Sequence, residues 1–362
     1  MDKGVLVEAA CQDLLTYGVW DGKDRLKYWI RRYLLRRRAA PEDLVFWPTG
    51  LLAAGLWQCR QETVQEQAAV QRASDKAMID LVLAAYYDRW LHKGTPVFWL
   101  DDLLAGETLL EICREYQEKG QEDGIVCAGN ADKYRKAADK LVDFGMKWPT
   151  NETGSFPYRR QDTDRVFADT MGLACPFLYR YGVTYDRQET MEAAVKQIVN
   201  FLAYGMDVST GLPYHGFSIA DDCKYGIIGW GRAVGWMLRG MDGCMVTEYG
   251  RQRLEDSYVK MMNAVLGFQR KDGFFSWQLQ AGEGPADTSA TAMICASLKK
   301  GTELGILKEP KYGQALMDGR SAIEKSVRNG RVYQCSGECE GFGQYPQRYG
   351  AYPWALGSAL ML

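Results

Sequence analysis

Apolar positions recur every three or four residues along most of this chain, the period of one face of an α-helix. In the first half the stretches EAACQDLLTYGVW, LLAAGLWQC, DKAMIDLVLAAYYDRWL, LLAGETLLEICREYQEKG and NADKYRKAADKLVDFGMKW show it. DTMGLACPFLYRYG, RQETMEAAVKQIVNFLAYG, GRAVGWMLRGMDGCMVTEYG, RLEDSYVKMMNAVLGFQR and TSATAMICASLKKGTELG continue it. Four segments run into a Tyr-Gly pair (LTYG, LYRYG, FLAYG, TEYG), which predicts a glycine C-cap at each. Between the segments lie aromatic loops with Gly or Pro: VFWPTG, TPVFWLDD, TGSFPYRRQ, TGLPYHGFSIADD, KDGFFSWQ and GECEGFGQYPQRYGAYPW. Strands do not alternate with helices, and no Pro/Gly/Ser-rich linker divides the chain. The pattern predicts an all-α protein of about ten to twelve helices, roughly 30 residues for each helix and its loop. That count suits a closed toroid of helical hairpins forming one domain over 1–362. A stacked solenoid is the alternative, but no fixed repeat supports it. In a toroid, the loops at one end would line a single pocket rich in aromatic residues.

Composition narrows the class. The 362 residues are 47% hydrophobic and 25% charged, a globular balance. A net charge of −2 supplies no overall field for nucleic acid. The cluster RRYLLRRR at 31–38 reads as a solvated helix face. No run of about 18 apolar residues predicts a membrane span. The N-terminal stretch lacks the basic start, apolar core and cleavage site of a signal peptide, so a cytoplasmic location is expected. The ten cysteines are scattered, and Cys113, Cys175 and Cys295 sit in apolar settings that suit reduced core residues. Cys335 and Cys339 make a CxxxC with no second pair and no nearby histidine, so no metal site is expected there. A monomer or small homo-oligomer is expected.

Five places carry candidate chemistry. FWLDD brings Asp101 and Asp102 to the start of a helix, where N-capping is the plainer role and suits Asp102. RVFADTM places Asp169 just before an apolar helix, again a cap position. GLPYHGF holds His215 in a turn between Tyr214 and Phe217, a setting for a ligand-facing group. His92, the other histidine, reads as a helix-end residue. GWGRAVGW sets Trp230, Arg232 and Trp236 among glycines, and an arginine between two tryptophans needs an anion or water. GSFPYRRQ brings Tyr158 and Arg159 toward the same mouth. No nucleophile elbow, P-loop, HExxH or dinucleotide fingerprint occurs. Carboxylate acid–base chemistry on a sugar remains, with aromatic rings for the apolar sugar faces.

DTMGLACPFLYRYG, TGLPYHGF and GWGRAVGWMLRGMDG, in that order, resemble the unsaturated glucuronyl and rhamnogalacturonyl hydrolases, glycoside hydrolase families 88 and 105. The likeness is closer to the second. WLDDLLAGETLL, DTSATAM and YGAYPWALGSAL extend it from residue 40 onward. The resemblance implies an (α/α)6 barrel with no metal and no cofactor. It implies a substrate that is an oligosaccharide bearing a 4,5-unsaturated uronic acid, whose vinyl ether is hydrated. It implies Asp169 as the general acid/base and Asp101 as the second carboxylate, which positions the sugar and helps keep the first protonated. His215 corresponds to the site histidine, and Trp230, Arg232 and Trp236 to the segment gripping the unsaturated sugar. By the same likeness the glycines let the backbone come close, and Arg232 meets polar groups of the substrate.

Three positions depart from the family pattern. Tyr158 stands where many relatives carry a loop histidine, Phe167 replaces a tryptophan two residues before the acid, and Trp47 is the aromatic of the first hairpin. Two other readings compete: a catalytically silent sugar-binding toroid, and a different toroid enzyme such as an inverting glycosidase or epimerase. The retained pair Asp101 and Asp169 argues against the first.

Overall fold

The computed structural model describes residues 3–17, 26, 30, 43–62, 69–123, 125–341 and 343–362, and the basic cluster 31–38 lies outside them. Twelve α-helices occur among the described residues. They are α1 (Lys3–Thr16), α2 (Trp47–Gln61), α3 (Ala69–His92), α4 (Ala105–Asp123), α5 (Ile125–Met146) and α6 (Asp169–Tyr185). Then follow α7 (Gln188–Tyr204), α8 (Gly231–Cys244), α9 (Glu248–Leu266), α10 (Thr288–Glu303), α11 (Pro310–Lys325) and α12 (Pro353–Leu360). The even-numbered helices pack each on the next, and α12 returns to α2 to close the ring. The odd-numbered helices lie outside, each against an inner partner. This is an (α/α)6 barrel.

The helix sequences explain which ring each joins. Every residue of α8 except Arg239 is buried, as an inner helix with neighbours on all sides requires. The outer helix α9 buries Leu254, Tyr258, Met261, Met262 and Val265, a single stripe at helical spacing. Glycines let the inner helices come close. Gly172 of α6 faces Trp236 and Gly235 of α8 faces Met293, with no room for a Cβ at either. The glycines of GWGRAVGW inside the helix therefore serve helix packing, a correction to the role the resemblance implied. Gly229, just before the helix, has φ of +67°, which glycine adopts without strain.

Helix ends differ in part from expectation. Gly205 caps α7, donating its N–H to Phe201 O at 2.7 Å. Gly182 and Gly250 lie within α6 and α9, and Gly18 is outside the described residues. Gly182 is pressed on Thr190 and Met191, and Gly250 on the Cys244 carbonyl, so contact decided these two glycines. His92 ends α3, with Nδ1 2.6 Å from Asp88 O.

Short strands, too brief to show a period of two, stiffen the loops. β1 (Val166–Phe167), β2 (Gly216–Ser218) and β3 (Cys223–Tyr225) form an antiparallel sheet with Phe167 opposite Gly216. β4 (Val327–Arg328) pairs with β5 (Arg331–Val332), and β6 (Cys335–Ser336) with β7 (Tyr349–Gly350). No helix among the described residues is long and apolar enough to cross a membrane. The inner helices all begin at one end of the barrel. Trp47, the 3₁₀ turn Leu100–Leu104, Asp169, Trp230, Asp287 and Trp354 gather there.

Candidate active site

The two adjacent aspartates divide their work. Asp102 Oδ2 accepts from the N–H groups of Phe98 (2.7 Å) and Trp99 (3.1 Å) and so caps the 3₁₀ turn. Its other side meets Asp43 in a buried carboxyl pair. Burial pushes Asp43 up to about 6 and Asp102 well above the usual carboxylate range. Asp101, 2% exposed, turns to Tyr158 instead. Its Oδ2 accepts from the Tyr158 hydroxyl at 2.9 Å, and Oδ1 has no hydrogen-bond partner among the described residues. Burial raises Asp101 to about 7. Arg159 and the Tyr158 hydroxyl pull against burial, while the charges of Asp169 and Asp43 add to it.

A chain of rings leads from Asp101 to Asp169. Tyr158 stacks on Phe167 at 4.3 Å, with planes 12° apart. Phe167 meets His215 edge-on at 4.7 Å. His215 Nε2 lies 3.2 Å from Asp169 Oδ2. The sheet sets this geometry: β1 carries Phe167 beside the turn that holds His215, and Ala168 N–H donates to His215 O at 2.9 Å. The next residue, Asp169, then opens α6. At a helix start the dipole and free N–H groups favour an acidic side chain.

The far wall comes from α8 and from the segment between β6 and β7. The His215 ring lies 4.5 Å from Trp230, and its Nδ1 is 3.0 Å from the Tyr345 hydroxyl. Tyr345 also meets Trp230 at 5.4 Å and Trp277 at 5.8 Å. Cys339 Sγ is 4.0 Å from His215 Nδ1, while Cys335 is buried in β6, so the CxxxC pair is split. Glu338 hydrogen-bonds Trp47 and feels the charges of Arg232 and Arg159. Burial pushes its carboxyl up against the pull of those two arginines.

Arg232 and Trp236 hold the wall from behind. Arg232 is 3% exposed. Its Nη1 donates to the Ser336 hydroxyl (2.5 Å) and carbonyl (3.0 Å), and its Nη2 to Gly337 O (2.6 Å). Asp287, which N-caps α10 through Ser289 N, accepts from the same Ser336 hydroxyl. The arginine thus ties β6 to the start of α8. Trp236 is 2% exposed and meets Trp47 edge-on at 6.0 Å. The nine expected site residues therefore gather at one end of the barrel, with Arg232 and Trp236 in supporting positions. Glu338, Cys339 and Tyr345 were missed. Their aromatic, glycine-rich loop was legible as a loop, but nothing local tied it to His215.

Acidic residues and rings around one mouth of an (α/α)6 barrel are the make-up of a carbohydrate-cleaving enzyme. The Glycosyl Hydrolase Family 88 profile matches residues 27–362, and the chain belongs to that family of glycoside hydrolases. It is 24% identical over 321 residues to the unsaturated rhamnogalacturonyl hydrolase YesR of Bacillus subtilis (strain 168), covering 87% of each chain. A possible member of the GH105 family from Klebsiella pneumoniae subsp. pneumoniae MGH 78578 superposes with a TM-score of 0.79 at 16% identity. That match covers 100% of this chain and 92% of the other. The unsaturated glucuronyl hydrolase of Bacillus sp. GL1 superposes with a TM-score of 0.57 at 17% identity, covering 88% and 85%.

Proposed function

We propose that this glycoside hydrolase removes a 4,5-unsaturated uronic acid from the non-reducing end of lyase-generated oligosaccharides of rhamnogalacturonan or pectin type. The observation that carries the reading is the pair Asp101 and Asp169, each within reach of the other's charge and bridged by Tyr158, Phe167 and His215. Protonated Asp169 gives its proton to C4 of the vinyl ether, and the electron pair of the double bond forms the new C–H bond. Positive charge develops at C5 and the ring oxygen. The Asp169 carboxylate then takes a proton from water as the water oxygen bonds C5. The resulting hemiketal opens, and the remaining sugar leaves from C1 with its oxygen. Asp101 holds the ring, its unpartnered Oδ1 facing a sugar hydroxyl. His215 orients Asp169 and the sugar.

A second assignment exchanges the two carboxylates. It is favoured by Asp101, whose buried carboxyl keeps its proton up to about 7 and so is an acid near neutral pH. The test is the ultraviolet absorbance of an unsaturated disaccharide, which falls when hydration removes the conjugated double bond. Wild-type protein should bleach it. No bleaching of either glucuronyl or galacturonyl substrates would refute the reading. We place the enzyme in the cytoplasm as a monomer or small homo-oligomer, with the chain as one catalytic domain. The nine described cysteines are all free thiols, which suits a reducing compartment.

A further inference from the structure

A carboxylate on the substrate needs a cation, and Arg159 is held ready without a partner. It sits half-buried in the loop between α5 and β1, next to Tyr158. Its guanidinium lies over the rings of Tyr158 (4.4 Å) and Trp99 (4.9 Å). Stacking fixes the guanidinium through its face and leaves its edge donors unused. Among the described residues its side chain makes no hydrogen bond, and no carboxylate comes within ion-pair distance. Yet its charge reaches Asp101, on which it exerts the strongest pull against burial, and Glu338.

Its neighbours behave otherwise. Arg165 pairs with Asp162 at 3.5 Å, and Arg160 is exposed beside Trp148. Arg232 is committed to Ser336 and Gly337. Partly burying a guanidinium with open donors costs desolvation that a bound anion would offset. The substrate's carboxyl carbon is bonded to C5, the atom that water attacks. A cation reading it must therefore stand close to the reacting carboxylates, and Arg159 lies over Tyr158, whose hydroxyl bonds Asp101.

We propose that Arg159 is the specificity-determining residue that binds the carboxylate of the unsaturated uronic acid, while Arg232 braces the wall behind it. The proposal rests on the reaction argued above and adds which residue reads the acid. Its edge donors meet the two carboxylate oxygens, and Trp99 and Tyr158 keep the plane in place before the sugar arrives.

The experiment compares an unsaturated disaccharide with its methyl ester on wild type, Arg159→Gln and Arg159→Lys. A charge-assisted pair predicts that wild type prefers the acid by roughly 10- to 100-fold in kcat/KM. In Arg159→Gln that preference should shrink to about threefold or less, the acid losing most. Arg159→Lys, which keeps charge but lacks the fork, should retain an intermediate preference. An acid preference left intact in Arg159→Gln would overturn the proposal alone. So would equal losses on acid and ester, which mark a residue that only props Tyr158 and Asp101. Wild type inactive on both sugars would overturn the hydrolase reading and this proposal with it. If Arg159→Gln fails to fold, the lysine variant decides: an unchanged preference, or a parallel loss on both sugars, overturns the proposal.

Discussion

The two ends of the barrel handle buried charge differently. At the end where the inner helices start, Asp101 leans on a phenol, Asp169 on an imidazole, and Arg159 on two aromatic rings. At the other end, a cavity of about 140 Å³ lies among the inner helices, with Glu107 and Glu111 contributed by the first half of α4. There Glu107 meets Arg239 at 2.8 Å, and Glu111 meets Arg180 at 2.8 Å. One group stands apart: Asp242 has Ser297 as its hydrogen-bond partner, and burial raises it to about 7. Carboxylates paired with arginines across helices hold the barrel together. Carboxylates left beside neutral partners, with a cation nearby but unbonded, remain available to a substrate.

The largest expected effect tests the active end. Asp169→Asn keeps the shape and removes the proposed proton carrier, so turnover should fall about a thousandfold or more, as for loss of a general acid. Substrate binding and the melting temperature should stay near wild type. Bleaching close to the wild-type rate would move the acid to Asp101. The closed end should respond in the opposite sense. Glu107→Ala leaves the partly buried Arg239 without its carboxylate and should cost about 2 kcal/mol of stability in urea titration. Activity per folded molecule should not change. A large loss of kcat with unchanged stability would erase the contrast between the ends.

A smaller effect follows from protonation. An unfolded aspartate releases its proton near pKa 3.9. Native Asp101 and Asp242 keep theirs up to about 7. Between those values the native chain binds more protons, so stability falls as pH rises from about 4 to 7. Asp242→Asn should make stability less pH-dependent between pH 5 and 7.5, by about 2 kcal/mol, with activity retained. A slope identical to wild type would show that Asp242 titrates normally. The smallest effect belongs to His215→Asn, which removes contacts to Asp169 and Tyr345 and should lower kcat/KM roughly 3- to 10-fold. Complete loss in a folded variant would make the histidine a proton carrier.

Much of this architecture was readable from one strand of text because helices are local. A period of 3.6 needs only neighbouring residues, so most of the helices stood out. The Asp-led start of α6 and the Trp-Gly-Arg segment could be matched because each lies in one short run. The helix α11, with many charged and polar residues, was passed over. Tyr-Gly pairs misled at Gly182 and Gly250, where a neighbouring backbone or side chain, remote in the local pattern, demanded a glycine inside a helix.

The sequence by itself determined the all-helical toroid, the acidic and aromatic character of its loops, and the carboxylates Asp101 and Asp169 as candidates. The tertiary structure decided which groups face one another. Asp101 meets Tyr158 across 57 positions, and His215 meets Tyr345 across 130. It also decided that Arg232, the arginine most conspicuous in the sequence, spends its donors on Ser336 and Gly337, over 100 positions away, while Arg159 keeps its own. Hydrophobic period is a property of adjacent residues. Whether a charge is paired depends on which distant segment the closed ring brings beside it.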